Sequence, residues 1–217
     1  LINAKGEITI KSVATKEVME WFQKVAPNLP PDCWAWDDAG NNKWLVSGKG
    51  ALIMNPPSAW AVAKRDAPQV AADCWVIDAP VGPKGRFAPF LPFFWGVWNF
   101  SPNKSAAKSL ITYLSSRSSA EKLVAASQGY DLPSYAKLTD FKTWDEEGPP
   151  PGTLSHYPNR DGQILSVAAA PAPPEVAVQI YNQALATKMV YRMMRENQTI
   201  DQAIAWASGE LEGYLRG

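Results

Sequence analysis

The side chains that could do chemistry are a single histidine, His156, two cysteines, Cys33 and Cys74, and two acidic clusters, Asp37-Asp38 and Asp145-Glu146-Glu147. A zinc site draws on several His, Cys or carboxylate ligands at close spacing, and one His with no Cys-x-x-Cys and no His-Glu-x-x-His does not supply them. No Gly-x-Ser-x-Gly elbow and no phosphate loop occurs. Gly48-Lys49-Gly50 begins like a dinucleotide motif, but the third Gly is missing and the motif precedes a strand-like run instead of following one. Paired carboxylates can serve a glycosidase as acid and base. The competing readings are a helix N-cap for Asp37-Asp38 and a solvated loop for Asp145 to Glu147. Recognition without catalysis is therefore expected, with no cofactor and no metal; a carbohydrate-active hydrolase using these Asp and Glu residues is the enzymatic alternative.

Lys plus Arg equals Asp plus Glu at 21 each, so no net field recruits nucleic acid or anionic lipid. A content of 46% hydrophobic and 19% charged residues fits a globular chain of one large domain or two modest ones. The 10 Trp and 19 Pro are high counts, and Trp rings serve equally as core filling and as stacking platforms for sugar faces. No apolar run approaches the roughly 18 residues of a membrane span. The chain starts at Leu1 within a turn-like Asn3 to Gly6, which suggests a missing upstream segment. Cys33 and Cys74 could pair in an exported protein or remain a reduced, buried pair.

The elements that must position these groups follow from periodicity. Val18, Trp21, Phe22 and Val25 recur as one face of a helix beginning near Ser12 and ended by Pro27, Pro30 and Pro31. Asp37 and Asp38 suit the N-terminus of a helix over Ala39 to Val46, with Gly48 as its C-terminal cap. Ala51 to Met54 reads as a buried strand stopped by Asn55-Pro56-Pro57, and Ser58 opens a helix to Arg65. Trp75 to Ile77 is strand-like, and Phe93 to Phe100 suits a strand buried on both faces. Ala107, Leu110, Ile111 and Leu114 describe a helix, and Ser118 with Glu121 a capping box for another that ends at Gly129. Tyr130 to Gly162 is loop-rich. From Pro174 the chain is helical, with Val178, Tyr181, Leu185 and Met189 on one stripe; Thr199 and Gln202 cap the last helix, carried by Ile204, Ala207, Leu211 and Leu215. Seven helices against three or four strands is a shortage for a layered sheet domain.

Several pieces occur in a family-like order: Ala4-Lys5-Gly6-Glu7-Ile8-Thr9-Ile10, Ser47-Gly48-Lys49-Gly50-Ala51, Asn55-Pro56-Pro57-Ser58-Ala59-Trp60 and Pro80-Val81-Gly82-Pro83-Lys84-Gly85-Arg86. Gly96 then precedes Ser101-Pro102-Asn103-Lys104, and Gln198-Thr199-Ile200-Asp201 opens the close of the chain. This ordered set resembles the extracellular solute-binding proteins of bacterial ABC importers, the family that includes maltose-binding protein. The resemblance implies an α/β, periplasmic-binding-protein-like (type II) fold whose two lobes close on a solute. It implies that residues 1–85 and 133–217 build the second lobe, that 86–132 return to the first, and that most of the first lobe of the same protein is missing here. That would account for the strand shortage.

Carried over position by position, the resemblance places Trp36, Asp38, Asn55, Ser58, Trp60, Phe94, Trp95 and Gly96 at the ligand. Maltose-binding protein has a stacking Trp where this chain has Ser58, and its second Trp of the same turn matches Trp60, so one stacking face is lost and maltodextrin is disfavoured. For Trp60 and Asp38 two readings stand, ligand contact or, respectively, helix packing and helix capping; for Trp95 the choice is ligand contact or core. Trp21, Trp44, Trp144 and Trp206 are assigned to packing. The implied partners are a sugar or polyol and a membrane ABC permease, in a periplasmic or lipid-anchored extracellular setting. A sensor or adhesion protein of the same fold is the remaining alternative.

Overall fold

A computed structural model describes residues 1–90, 92–133, 135, 137–147, 163–166 and 171–216. The described residues are helix-rich, with two short strands. The chain alternates between two compact units, one made of 1–35, 87–91 and 163–217, the other of 36–86 and 92–162.

The first unit is built on its helices. Ser12 caps α1 (Val13–Val25) by accepting from the Thr15 amide at 3.2 Å, which answers one of the amides a helix start leaves unpaired. The buried face of α1 is Met19, Phe22 and the following Ala26, rotated by about one residue from the expected stripe. Val18 and Trp21 are about half exposed, so the packing role expected of Trp21 reduces to an edge contact with Phe22 at 4.9 Å between ring centroids. Flexible Met19 fills the interior where a branched Val would fit less readily.

α8 (Pro174–Asn182), α9 (Leu185–Arg195) and α10 (Ile200–Arg216) complete this core, α10 packing on α1, α8 and α9. The single stripe expected from Val178 to Met189 is broken at Ala184, which sits in the left-handed region at φ 51°. The break resets the helical phase. Leu185 and Met189 are buried, whereas Val178 and Tyr181 face outward and α8 buries Val176, Ala177 and Ile180 instead. The Thr199–Gln202 capping box forms as expected, each side chain taking the other's backbone amide, at 2.8 and 3.2 Å. Ile204, Ala207 and Leu211 are buried, and Arg192 lies 4.5 Å over the Trp206 ring.

The same unit holds the strands, β1 (Phe87–Phe90) and β2 (Gln163–Ser166), parallel and in register from Phe87 opposite Gln163 to Phe90 opposite Ser166. Neither was expected. The three runs that were expected to be strands, Ala51 to Met54, Trp75 to Ile77 and Phe93 to Phe100, are all irregular and largely exposed, Leu52 at 79% and Phe94 at 86%. Apolar content alone does not make a strand, because its backbone groups need a paired neighbour.

The second unit carries α2 (Gly40–Val46), α3 (Ser58–Asp66), α4 (Pro68–Ala72), α5 (Lys104–Leu114), α6 (Arg117–Ala126) and α7 (Lys142–Glu147). The box expected from Ser118 is replaced by Ser116, whose hydroxyl accepts from the Ser119 amide. α6 closes through Gln128 and Gly129, both at positive φ, with the Gly129 amide bonded to the Val124 carbonyl at 2.8 Å. Trp144 is buried against Phe141 and donates its indole N–H to the Gly129 carbonyl at 2.9 Å, the packing role expected of it. Both cysteines are free thiols, Cys33 in the first unit and Cys74 in the second, each pushed up in pKa by burial.

Two substitutions in the first unit test this description. Ala184→Gly removes the Cβ conflict of the left-handed residue and is expected to stabilise by about 1 kcal/mol. Thr199→Ala removes the cap and is expected to destabilise by about 1 kcal/mol. Urea unfolding midpoints read both.

Candidate functional site

The corner expected to face a ligand is assembled by a chain of polar contacts joining α2 to α3. Asn41, in the first turn of α2, donates from its side-chain amide to the Met54 carbonyl at 3.2 Å and to Asn55 Oδ1 at 3.0 Å. Asn55 in turn donates to the Pro56 carbonyl at 2.9 Å and to Ser58 Oγ at 3.2 Å. The Asn55 amide is thereby used on both sides and acts as a strut. Ser58, the first residue of α3, receives one hydrogen bond and keeps its own hydroxyl hydrogen to give.

Local sequence explains why the corner has this shape. α2 ends at Ser47, and Gly48 follows at φ 71°, as the cap reading expects. A Cβ at Gly50 would run into the Trp44 indole, and one at Gly40 into Trp36. These two glycines cradle the tryptophans, whose rings lie 5.6 Å apart and tilted by 40°. Trp44 therefore packs, as expected, and Trp36 is left half-buried at the edge of the pair.

The two aspartates at the start of α2 separate in role. The N-cap position is Ala39 and makes no side-chain cap bond. Asp37 accepts from the Ala39 amide at 3.1 Å and pairs with Lys43 at 3.2 Å, so it holds the turn. Asp38 caps nothing: it is exposed, with no side-chain hydrogen bond among the described residues.

Trp60 is 6% exposed and packs with Ala63, Ala71, Val46 and Cys74, while Lys64 lies 4.8 Å over its ring. Its indole N–H has no hydrogen-bond partner among the described residues. The structure thus places Trp60 beneath the corner, in the packing reading, with no open stacking face. Phe94, Trp95 and Gly96 are exposed and share no hydrogen bond or ring pair with the corner among the described residues. Asn41 is the residue that sequence reasoning missed; its signal was an Asn-Asn pair in a short helix, where amides weaken the helix and invite tertiary bonds.

No group of three or more His, Cys, Asp or Glu that could hold a metal occurs among the described residues, and His156 lies outside them. Asp145 and Glu146 are exposed on α7. The Arg65 guanidinium holds the Asp66 carboxyl below the usual range, and Arg117 does the same for Asp140. Burial raises Asp131, partly offset by a bond from Ser127. What the corner offers is hydrogen bonding from a fixed hydroxyl, an unengaged carboxylate and the edge of an aromatic pair.

Gly50→Ala would force the Trp44 ring from its place. It is expected to destabilise the chain by about 1–3 kcal/mol, the usual range for overpacking, and to change tryptophan emission. Urea unfolding followed by fluorescence reads both.

Two comparisons bear on identity. No curated protein matches the chain. A family model described as bacterial extracellular solute-binding protein matches residues 3–150, which include the whole corner from Trp36 to Trp60 and the run from Phe93 to Phe100. That match spans more than half of the sequence, and the chain belongs to the family of bacterial extracellular solute-binding proteins.

Proposed function

We propose that the protein is a receptor that captures a carbohydrate or other polyol outside the cytoplasm and delivers it to an ABC permease, with no catalytic step. The family supports a binding role and an extracytoplasmic setting, either periplasmic or lipid-anchored. The observation that carries the polyol reading is the Asn41–Asn55–Ser58 chain, which fixes a hydroxyl donor at the start of α3. Asp38, free of any capping duty, accepts ligand hydroxyls on this reading, and Trp36 covers a C–H face. Asn55 positions Ser58, and Trp60 supports α3 from beneath. A Ser where a maltodextrin receptor stacks Trp disfavours long glucan chains.

On the same reading the fold has two lobes that close on the solute, with residues 1–85 and 133–217 in the second lobe and 86–132 in the first. Phe94, Trp95 and Gly96 would form the opposite wall. The exposed aromatic run around them, Phe93, Phe94, Trp95, Trp98 and Phe100, is the kind of surface that a neighbouring segment of the first lobe would cover.

Calorimetric and fluorescence titration with a panel of neutral sugars and polyols tests the proposal. Micromolar or tighter binding is expected, with a change in tryptophan emission, and Ser58→Ala is expected to lose about 1 kcal/mol of affinity, the usual worth of one hydrogen bond. Flat signals across the panel would overturn it.

A further inference from the structure

The second unit contains a groove of about 210 Å³ beside the corner. One wall is a face of α3 carrying Ser58, Val62 and Arg65; the other is the end of α6 and the turn after it, with Ser127, Gln128 and Tyr130. Pockets for drug-sized ligands start at roughly 300 Å³, so this space suits a single small ring.

Gln128 has the most unusual setting of these residues. It sits at φ 54°, just after the Ser127 cap of α6. Gly is the residue that adopts this conformation without Cβ conflict, and Gly129 next to it is also left-handed, at φ 85°. A Gln here is half-buried, lines the groove and has no side-chain hydrogen-bond partner among the described residues. An outlier backbone that carries an unengaged amide into a cavity points to a ligand contact.

The other groups narrow the chemistry. Ser127 is committed to the turn: its hydroxyl donates to the Val124 carbonyl at 3.0 Å and accepts from the Asp131 amide at 3.1 Å. Arg65 is bidentate on Asp66, at 2.7 and 2.9 Å, so its charge is already balanced. The groove therefore offers an amide with both donor and acceptor, the Ser58 hydroxyl, the Tyr130 phenol and the apolar side of Val62. A group that gives and takes hydrogen bonds at neighbouring atoms fits that set, and an extra anion does not.

We infer that this groove is a subsite for one neutral, ring-sized polyol, with the Gln128 amide bracketing two adjacent hydroxyls and Ser58 bonding a third. The inference rests on the binding role proposed above, and the lobe assignment given there puts the two walls on different lobes.

Titration calorimetry on the full 217-residue chain tests it, using xylose, glucose and myo-inositol as neutral probes and glucuronate as an anion of similar size. The variants are Gln128→Gly, which relieves the backbone, Gln128→Asn, which tolerates the left-handed region but shortens the amide, and Ser58→Ala. Both Gln128 variants are expected to keep or raise the thermal midpoint and to weaken a neutral probe tenfold or more, with glucuronate no tighter than glucose. Neutral binding weakened by Ser58→Ala but unchanged in both Gln128 variants would overturn the groove and leave the corner standing. Tighter binding of glucuronate would overturn the neutral class. Absence of binding by every neutral probe would overturn the groove together with the receptor proposal.

Discussion

The hydrogen-bond chain Asn41–Asn55–Ser58 is the constraint on which the rest of the corner depends. Each bond contributes only about 1 kcal/mol net, yet together they fix three things. They hold the irregular segment Ala51 to Pro57 against α2 although no strand ladder supports it, they set where α3 begins, and they orient one hydroxyl. A hydroxyl held in place before a ligand arrives loses little freedom on binding, which favours affinity. Gly40 and Gly50 extend the constraint by seating Trp36 and Trp44, so that α2 meets α3 with its aromatic pair in one arrangement.

Helices were the most legible part of the chain because their signals are local. Ser12, Thr199 with Gln202, and Gly48 each satisfy a helix end with their own atoms or dihedrals, and each acts as its type predicts. Strand signals misled because pairing is not local. Phe93 to Phe100 has the composition of a buried strand and is exposed, while Phe87 to Phe90, a shorter run containing Pro89, finds a parallel partner at Gln163 to Ser166. Helical phase was lost where one residue departs from regular dihedrals, as Ala184 does between α8 and α9. Ser116 and Ser118 are equally good caps by type, and only the backbone at Ser116, φ −66° and ψ 152°, decides between them.

The candidate site was half legible for the same reason. Ser58 and Asp38 were found through a resemblance of pattern, and the structure removes the capping alternative for Asp38 by leaving its carboxylate unengaged. Trp60 was ambiguous by type, and burial at 6% puts it under α3. Asn41 and Gln128 were invisible because their importance lies in a partner fourteen residues away in one case, and in a backbone dihedral in the other. The family match reaches residue 150 and so covers every residue named at the corner and in the groove.

The side-chain amide resonances of Asn41, Asn55 and Gln128 can report directly on whether this corner receives a polyol. In a nitrogen–proton spectrum of the full chain titrated with a neutral sugar, the Gln128 amide pair is expected to shift most, and Asn55 less because its hydrogens are already bonded. Asn41, the strut farthest from the hydroxyl, is expected to stay nearly still. Saturable shifts confined to other parts of the chain, with all three amides unmoved, would contradict the corner as the place of recognition.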